Sequence, residues 1–238
     1  MSNWLAAPNI LLWPENITHV WFANLDISEE QRMLLAKSLS SVEMRRAENI
    51  RLSLDQARWI AAHGFLRIIL GRYLQIPPGE VSISPNLLEV ENQNDFPQLV
   101  FSLSHSQRYA VYAVTAGRRV GIDIEAMADF PEMELIVKKH FSSSEAAWLA
   151  SKPDSERLLW FYKIWTGKES VLKATRDGIT KPLNEVSIGF DANDDPELVE
   201  IFNEKKPWHL SILSPNADMV GTLAVEGTTG SVCYWKID

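Results

Sequence analysis

Apolar positions recur at helical spacing from Leu54 to about Leu74, where Ala57, Ile60, Ala61, Phe65, Ile68 and Ile69 share one stripe. They predict the best helix of the first half, ending near Pro77-Pro78-Gly79. Ile17 to Leu25, Val81 to Ser84, Leu99 to Ser104 and Tyr109 to Thr115 read instead as strands, rich in branched and aromatic residues and separated by turn chemistry. Ser28 with Gln31, Ser40 with Glu43, and Ser53 with Gln56 have the spacing of a capping box, each opening a helix. After Ala116-Gly117 the pattern changes to alternation, with Val120, Ile122 and Ile124 on one face and Gly121, Asp123 and Glu125 on the other. That reads as a half-buried strand from Arg119 to Glu125 with its carboxylates outward. Ser142 and Glu145 cap a further helix, and a long one runs from about Ser155 to Arg176, closed by Asp177-Gly178. Strands return at Glu185 to Phe190, Trp208 to Leu213 and Val220 to Glu226.

The order of elements is thus repeated, and so is the local wording. Glu80-Val81-Ser82-Ile83 recurs as Glu185-Val186-Ser187-Ile188, 105 residues on, and Leu99 to Leu103 resembles Trp208 to Ile212 at an offset of 109. Together these point to a tandem duplication of an α+β unit, with a boundary near Gly117 dividing residues 1–117 from 118–238. Two like halves imply a ligand cleft between them.

Composition narrows the class. With 238 residues, 46% hydrophobic, 23% charged, 11 Gly and 12 Pro, the chain is an ordinary folded protein and neither disordered, collagenous nor coiled coil. A formal charge of -8 argues against broad binding to a nucleic-acid backbone, which leaves a polyanion only a local basic patch. The single cysteine, Cys233, allows neither an intrachain disulfide nor a multi-thiolate metal site, as expected of a reducing compartment, the cytoplasm by default. Nowhere do 18 apolar residues run together, so no membrane span is expected. Pro8 and Pro14 interrupt the apolar stretches near the N-terminus and no basic segment precedes them, so no signal peptide is expected either.

Candidate chemistry falls in four places. Asp123 and Glu125 stand at i and i+2 of one strand, with Cα atoms about 6.5 to 7 Å apart. Such a pair can converge on one hard cation, Mg2+ above all, and leave positions for water and phosphate; a solvated strand face gives the same pattern. Trp165, Glu169 and Lys173 form one ridge of a helix at i, i+4 and i+8, which is equally the pattern of a surface ion pair. Gly167 inside that helix marks close approach of a neighbour. Arg45, Arg46, Arg51, Arg58, Arg67 and Arg72 make one local excess of positive charge, and Lys163, Lys168, Lys173, Arg176 and Lys181 another. Either can hold a phosphorylated small molecule or simply face solvent. Finally, Ser104-His105-Ser106 ends a strand with donors for phosphate oxygens. Adjacent strand residues point to opposite faces, so Ser104 and His105 are poorly placed as nucleophile and base.

Taken in order, Ser104-His105-Ser106, Gly121-Ile122-Asp123-Ile124-Glu125 and Trp165-Thr166-Gly167-Lys168-Glu169-Ser170-Val171-Leu172-Lys173 resemble the motifs of the larger, two-half class of 4'-phosphopantetheinyl transferases, the surfactin-synthetase-activating type. The resemblance implies a pseudo-twofold α+β monomer, each half a small, mainly antiparallel sheet packed with a long helix, which binds coenzyme A between its halves. It implies transfer of the 4'-phosphopantetheine arm to a serine of an apo acyl or peptidyl carrier protein, with Mg2+, or Mn2+ in its place. Asp123, Glu125 and Glu169 fall on the family's metal ligands. Lys173 falls on the lysine that contacts the pyrophosphate and assists the leaving adenosine 3',5'-bisphosphate, and Glu169 also on a base for the carrier serine. Ser104 and His105 match phosphate contacts, and Arg58 and Arg45 match positions binding the nucleotide 3'-phosphate.

One departure is that many relatives carry Gly-Lys-Pro before the Ser-His-Ser strand, where this chain has Asp95-Phe96-Pro97. The missing lysine removes a possible coenzyme A contact and leaves the metal carboxylates untouched. Two rivals remain open: a noncatalytic protein that holds coenzyme A or a carrier, and a Mg2+-dependent hydrolase of coenzyme A. Carriers are usually acidic, so the mouth of the site is expected to be basic or apolar, with Lys168 and Arg176 as its candidate contacts.

Overall fold

The computed structural model describes residues 4–8, 11, 13–14, 16–84, 98–175, 182–201, 207–227 and 230–237. The fold is mixed α+β and divides into two compact units, Trp4–Gly117 with Val232–Asp238, and Arg118–Ser231. The last residues therefore depart from the expected division at 117. Strand β10 (Ser231–Ile237) pairs in parallel with β1 (Leu5–Ala6) and fills the gap between it and β2 (Ile17–Asn24).

In the first unit the sheet runs β1-β10-β2-β4-β3, with β3 Leu99–Ser106 and β4 Tyr109–Ala116 forming an antiparallel hairpin. Helices α1 (Glu29–Ala36), α2 (Ser41–Glu48) and α3 (Ser53–Leu74) follow β2. Trp21, Phe101, Tyr112, Phe65 and Ile69 are buried together between sheet and α3. At about 1.5 to 3 kcal/mol for each large apolar side chain taken out of water, this cluster is the main support of the unit. The Tyr112 hydroxyl donates to the Ala62 carbonyl of α3 at 2.9 Å, so its one polar group is satisfied within the core.

The boxes at Ser28/Gln31 and Ser40/Glu43 form as expected, each with its reciprocal pair of hydrogen bonds. The one at Ser53/Gln56 does not. Leu52 is the N-cap of α3 with no side-chain hydrogen bond, and the Gln56 amide donates to the Ala47 carbonyl of α2 at 2.9 Å instead. Helix α3 ends where Gln75 turns left-handed (φ 57°), just before Pro77. The expected strand over Val81 to Ser84 reduces to a single bridging residue, Ile83, after a 3-10 turn at Pro78–Glu80.

The second unit holds β5 (Val120–Ala126), α4 (Met133–His140), α5 (Ser143–Ser151), α6 (Asp154–Thr175), β6 (Val186–Phe190), β7 (Pro196–Ile201), β8 (Trp208–Leu213) and β9 (Met219–Glu226). Its sheets are β5-β9-β8 and the hairpin β6-β7. The box at Ser142/Glu145 opens α5 as expected. The expected stop of the long helix at Asp177-Gly178, like Asp95-Phe96-Pro97, lies outside the described residues.

The duplication reaches individual side chains. Helix α3 is 22 residues long and α6 has 22 described residues, and the fifteenth residue of each is a buried cation, Arg67 and Lys168. Arg67 pairs with the capping-box glutamate of α2, Glu43, at 2.7 Å and donates to the carbonyl of Val81 at 3.0 Å. Lys168 pairs with the capping-box glutamate of α5, Glu145, at 2.6 Å and donates to the carbonyl of Val186. Val81 and Val186 are the matching residues of the repeated Glu-Val-Ser-Ile.

Candidate active site

The site is made where β5 meets α6. A Cβ added to Gly121 would lie 1.9 Å from the Ser170 carbonyl oxygen and 2.7 Å from the Ala174 nitrogen, so only glycine lets the helix lie this close to the strand. The face of β5 that bears Gly121, Asp123 and Glu125 is therefore the one turned to α6. This corrects the expectation of outward carboxylates: Asp123 is only 4% exposed. Its cross-strand partner on β9, Thr222, lies 2.9 Å from Thr166 of α6. The Thr166 hydroxyl donates to the Tyr162 carbonyl, so Thr222 is the donor between the two threonines.

Lys173 Nζ stands 2.7 Å from Asp123 Oδ1 and 3.3 Å from the Ile122 carbonyl. The ion pair ties α6 to β5 at the expected residues. One turn earlier on the same ridge, Glu169 is half-buried. Desolvation and the Asp123 carboxylate push its pKa above the ordinary range, against the opposing pull of Lys173. Asp123, Glu169 and Lys173 thus act on one another. Glu125 lines an adjacent cavity of about 230 Å³ with Phe130, Ile136, Phe161, Tyr162 and Trp165.

The other expected site residues belong to the first unit. On β3, Ser104 is buried and His105 exposed, as alternation along a strand requires. Arg58 of α3 grips Asp26 with Nε at 2.8 Å and Nη2 at 3.0 Å, while Arg45 lies on the exposed face of α2. Half of the first basic cluster and the described lysines of the second are engaged by partners, while Arg45, Arg46 and Arg51 are exposed. Arg67 is paired with Glu43, the Arg72 guanidinium lies 5.9 Å over the Trp21 ring, and Lys163 Nζ lies 3.8 Å over Trp160. Lys168, expected as a carrier contact, is fully buried against Glu145, which removes it from any docking surface. Arg176 and Lys181 lie outside the described residues.

Sequence reasoning missed Glu145 as anything but a cap and Lys168 as anything but a surface charge. Their signal was the repeat: a cation at the same helical position in both halves, each following a capping box. The comparison also shows what the first unit lacks. Arg72 lies five residues past Arg67 as Lys173 does past Lys168, but it covers Trp21 where Lys173 meets Asp123, and Ile68 stands where Glu169 would.

Hard carboxylate oxygens from Asp123, Glu125 and Glu169 suit Mg2+ or Mn2+. Among the described residues no three His, Cys, Asp or Glu side chains close on a single point. Mg2+ does not need such a cage, since one or two carboxylates with phosphate oxygens and waters complete its shell. The Lys173 ammonium beside Asp123 already shows a positive charge accepted there. The donor set fits.

Among the described residues no helix is long and apolar enough to cross a membrane. The family described as the 4'-phosphopantetheinyl transferase superfamily matches residues 119–224, the stretch that carries Asp123, Glu125, Glu169 and Lys173. The chain is 35% identical to the 4'-phosphopantetheinyl transferase HetI of Nostoc sp. over 235 residues, 98% of this chain and 97% of that protein. It is 30% identical to the 4'-phosphopantetheinyl transferase gsp of Aneurinibacillus migulanus, covering 64% of this chain and 62% of the relative. It is 26% identical to the 4'-phosphopantetheinyl transferase Sfp of Bacillus subtilis, covering 68% and 71%. A solved holo-(acyl-carrier-protein) synthase of Bacillus anthracis, in complex with CoA, aligns with 46% of this chain and 96% of its own at 20% identity, and its TM-score of 0.38 is too low to carry weight. Similarity along nearly the whole length of both HetI and this protein, with Asp123, Glu169 and Lys173 gathered where β5 meets α6, makes the chain a member of the 4'-phosphopantetheinyl transferase superfamily.

Proposed function

We propose that this transferase takes its 4'-phosphopantetheine arm from coenzyme A and delivers it to a serine hydroxyl of an apo acyl or peptidyl carrier protein, with Asp123, Glu125 and Glu169 as ligands of a Mg2+ ion. The observation that carries the reading is the Asp123–Lys173 pair at 2.7 Å with Glu169 one turn away on the same helix. In the proposed reaction the serine oxygen attacks the phosphorus that bears the pantetheine oxygen. A new P–O bond forms to serine, the bond between that phosphorus and the bridging oxygen breaks, and the bridging oxygen leaves with adenosine 3',5'-bisphosphate. Glu169 accepts the serine proton directly or through water. Lys173 faces the phosphate oxygens where leaving-group charge develops. A bound Mg2+ supplies charge neutralisation across the pyrophosphate, which is most of what phosphoryl transfer asks of a protein.

In this reading Ser104, His105, Arg58 and Arg45 hold the nucleotide phosphates, with Arg58 offering the guanidinium nitrogen that Asp26 does not take. The aromatic cavity beside Glu125 receives the apolar stretch of the arm. The protein works as a monomer in the cytoplasm, in keeping with its single free cysteine. Release of adenosine 3',5'-bisphosphate, followed by chromatography with coenzyme A and Mg2+ present, tests the reading. Release only when an apo carrier is added supports transfer. Release without carrier makes the protein a hydrolase, and coenzyme A binding with no release in either case makes it a noncatalytic binder.

A further inference from the structure

The Glu145–Lys168 pair is built more thoroughly than a charge pair on one helix requires. Both side chains are fully buried, and Lys168 Nζ lies 2.7 and 2.6 Å from the two carboxylate oxygens of Glu145 and also donates to the Val186 carbonyl. Glu145 in turn accepts from the backbone N–H of Ser142 at 2.6 Å and of Ile188 at 2.8 Å. One carboxylate therefore joins the start of α5, strand β6 and the middle of α6. A single contact on a helix leaves it free to turn about its axis, whereas two contacts on different sides do not. The second is close by: Gly121 seats α6 on β5 through Ser170 and Ala174. Gly167, the residue before Lys168, packs against Ile188 of the same β6, where a Cβ would meet Ile188 Cγ1 at 3.2 Å. Between these two anchors stands Glu169.

We infer that Glu145 and Lys168 are positioning residues for the transfer reaction: their buried pair sets the rotation of α6 and so aims Glu169 at Asp123. The first unit supports this from an independent set of atoms. Arg67 and Glu43 make the same staple on α3, and there the following residue, Ile68, is aimed at the core cluster of that unit. The staple is common to both halves and only the residue after it differs, so the staple fixes direction and its neighbour decides the chemistry. The inference rests on the reading of Glu169 as a metal ligand and base.

Burying the pair means that removing one partner leaves a charge without its counterion in a dry site, whereas replacing both by apolar residues of like volume removes that penalty. The decisive variant is therefore Glu145→Leu/Lys168→Met, with Glu145→Asp as a milder companion that keeps the counterion for Lys168 and both acceptor oxygens but shortens their reach. Each full-length variant is compared with the natural protein in thermal unfolding, in Mn2+ binding by electron paramagnetic resonance with coenzyme A present, and in transfer against Mg2+ concentration. We expect a folded double variant whose KM for coenzyme A stays within about twofold of normal, while the metal concentration for half-saturation rises at least fivefold in both metal assays. Glu145→Asp moves the same way by a smaller factor, and decides the matter if the double variant does not fold. Unchanged metal half-saturation in a folded variant overturns the inference and reduces the pair to a source of stability. If the natural protein shows no transfer with any carrier, the proposed reaction falls, and Mn2+ binding still reports whether the pair aims Glu169.

Discussion

Burial fixes the protonation of His19. Its Nδ1 lies 2.6 Å from the Tyr73 hydroxyl, which also accepts from Trp21 Nε1 at 3.2 Å, so the Tyr73 proton is given to His19 and Nδ1 is a bare acceptor. Desolvation lowers its pKa from 6.5 to about 4. A histidine depressed in this way binds its proton more readily in the unfolded chain, so its stabilising effect is complete above pH 6.5 and is lost as pH falls toward 4. The loss amounts to on the order of 3 kcal/mol. We expect His19→Gln, which keeps an acceptor for Tyr73, to flatten the decline in urea-unfolding free energy over that range; an unaltered slope would assign the acid sensitivity elsewhere. At the carboxylates proposed to hold Mg2+, Asp123→Asn should slow transfer by roughly a hundredfold while leaving the circular dichroism spectrum intact. Residue chemistry was legible where it is local. The shared helix ridge of Glu169 and Lys173 reads directly from spacing, though their roles come only from the resemblance, whereas Lys168 looked like a surface charge because its partner lies 23 residues away and is brought to it only by packing.

At the scale of elements, two glutamates do double duty, as helix caps and as counterions for the next helix. Ser40/Glu43 and Ser142/Glu145 were readable as caps because both halves of the motif lie within four residues. Their long-range pairing was not. Arg67→Met, which leaves Glu43 without its cation, should cost about 3 to 5 kcal/mol in denaturant unfolding, while Glu43→Leu/Arg67→Met should recover most of the loss. Equal losses in both would mean that the partner's isolated charge is not the cause. Gly121→Ala is a sharper test of the β5–α6 contact. Its Cβ has no room beside the Ser170 carbonyl, so α6 must shift, with a destabilisation of about 3 kcal/mol and loss of transfer. A stable, active Gly121→Ala would contradict the close seating. The orientation of β5 escaped sequence reading for the same reason. Alternation shows that Gly121, Asp123 and Glu125 share a face, but only the approach of α6 decides that this face is covered. Strand β10 escaped too, because its place between β1 and β2 is set by residues more than two hundred positions earlier in the chain.

Across the whole molecule, duplication supplies the frame and divergence supplies the chemistry. Each unit sets a long helix on a sheet and staples it with a buried cation, yet Asp123, Glu169 and Lys173 of the second have Trp21, Ile68 and Arg72 as their counterparts in the first. The order of elements and the Glu-Val-Ser-Ile repeat made that plan readable from the chain alone, and the family of the protein followed from three motifs. The central claim is that these residues move a phosphopantetheine arm to a carrier. It is tested most directly by the intact mass of an apo carrier protein after incubation with this protein, coenzyme A and Mg2+, beside Glu169→Gln and metal-free controls. We expect the carrier to gain the mass of one phosphopantetheine with the natural protein and to gain none in either control. An unchanged carrier mass across fatty-acid, polyketide and peptide carriers, or an equal gain with Glu169→Gln, would contradict it.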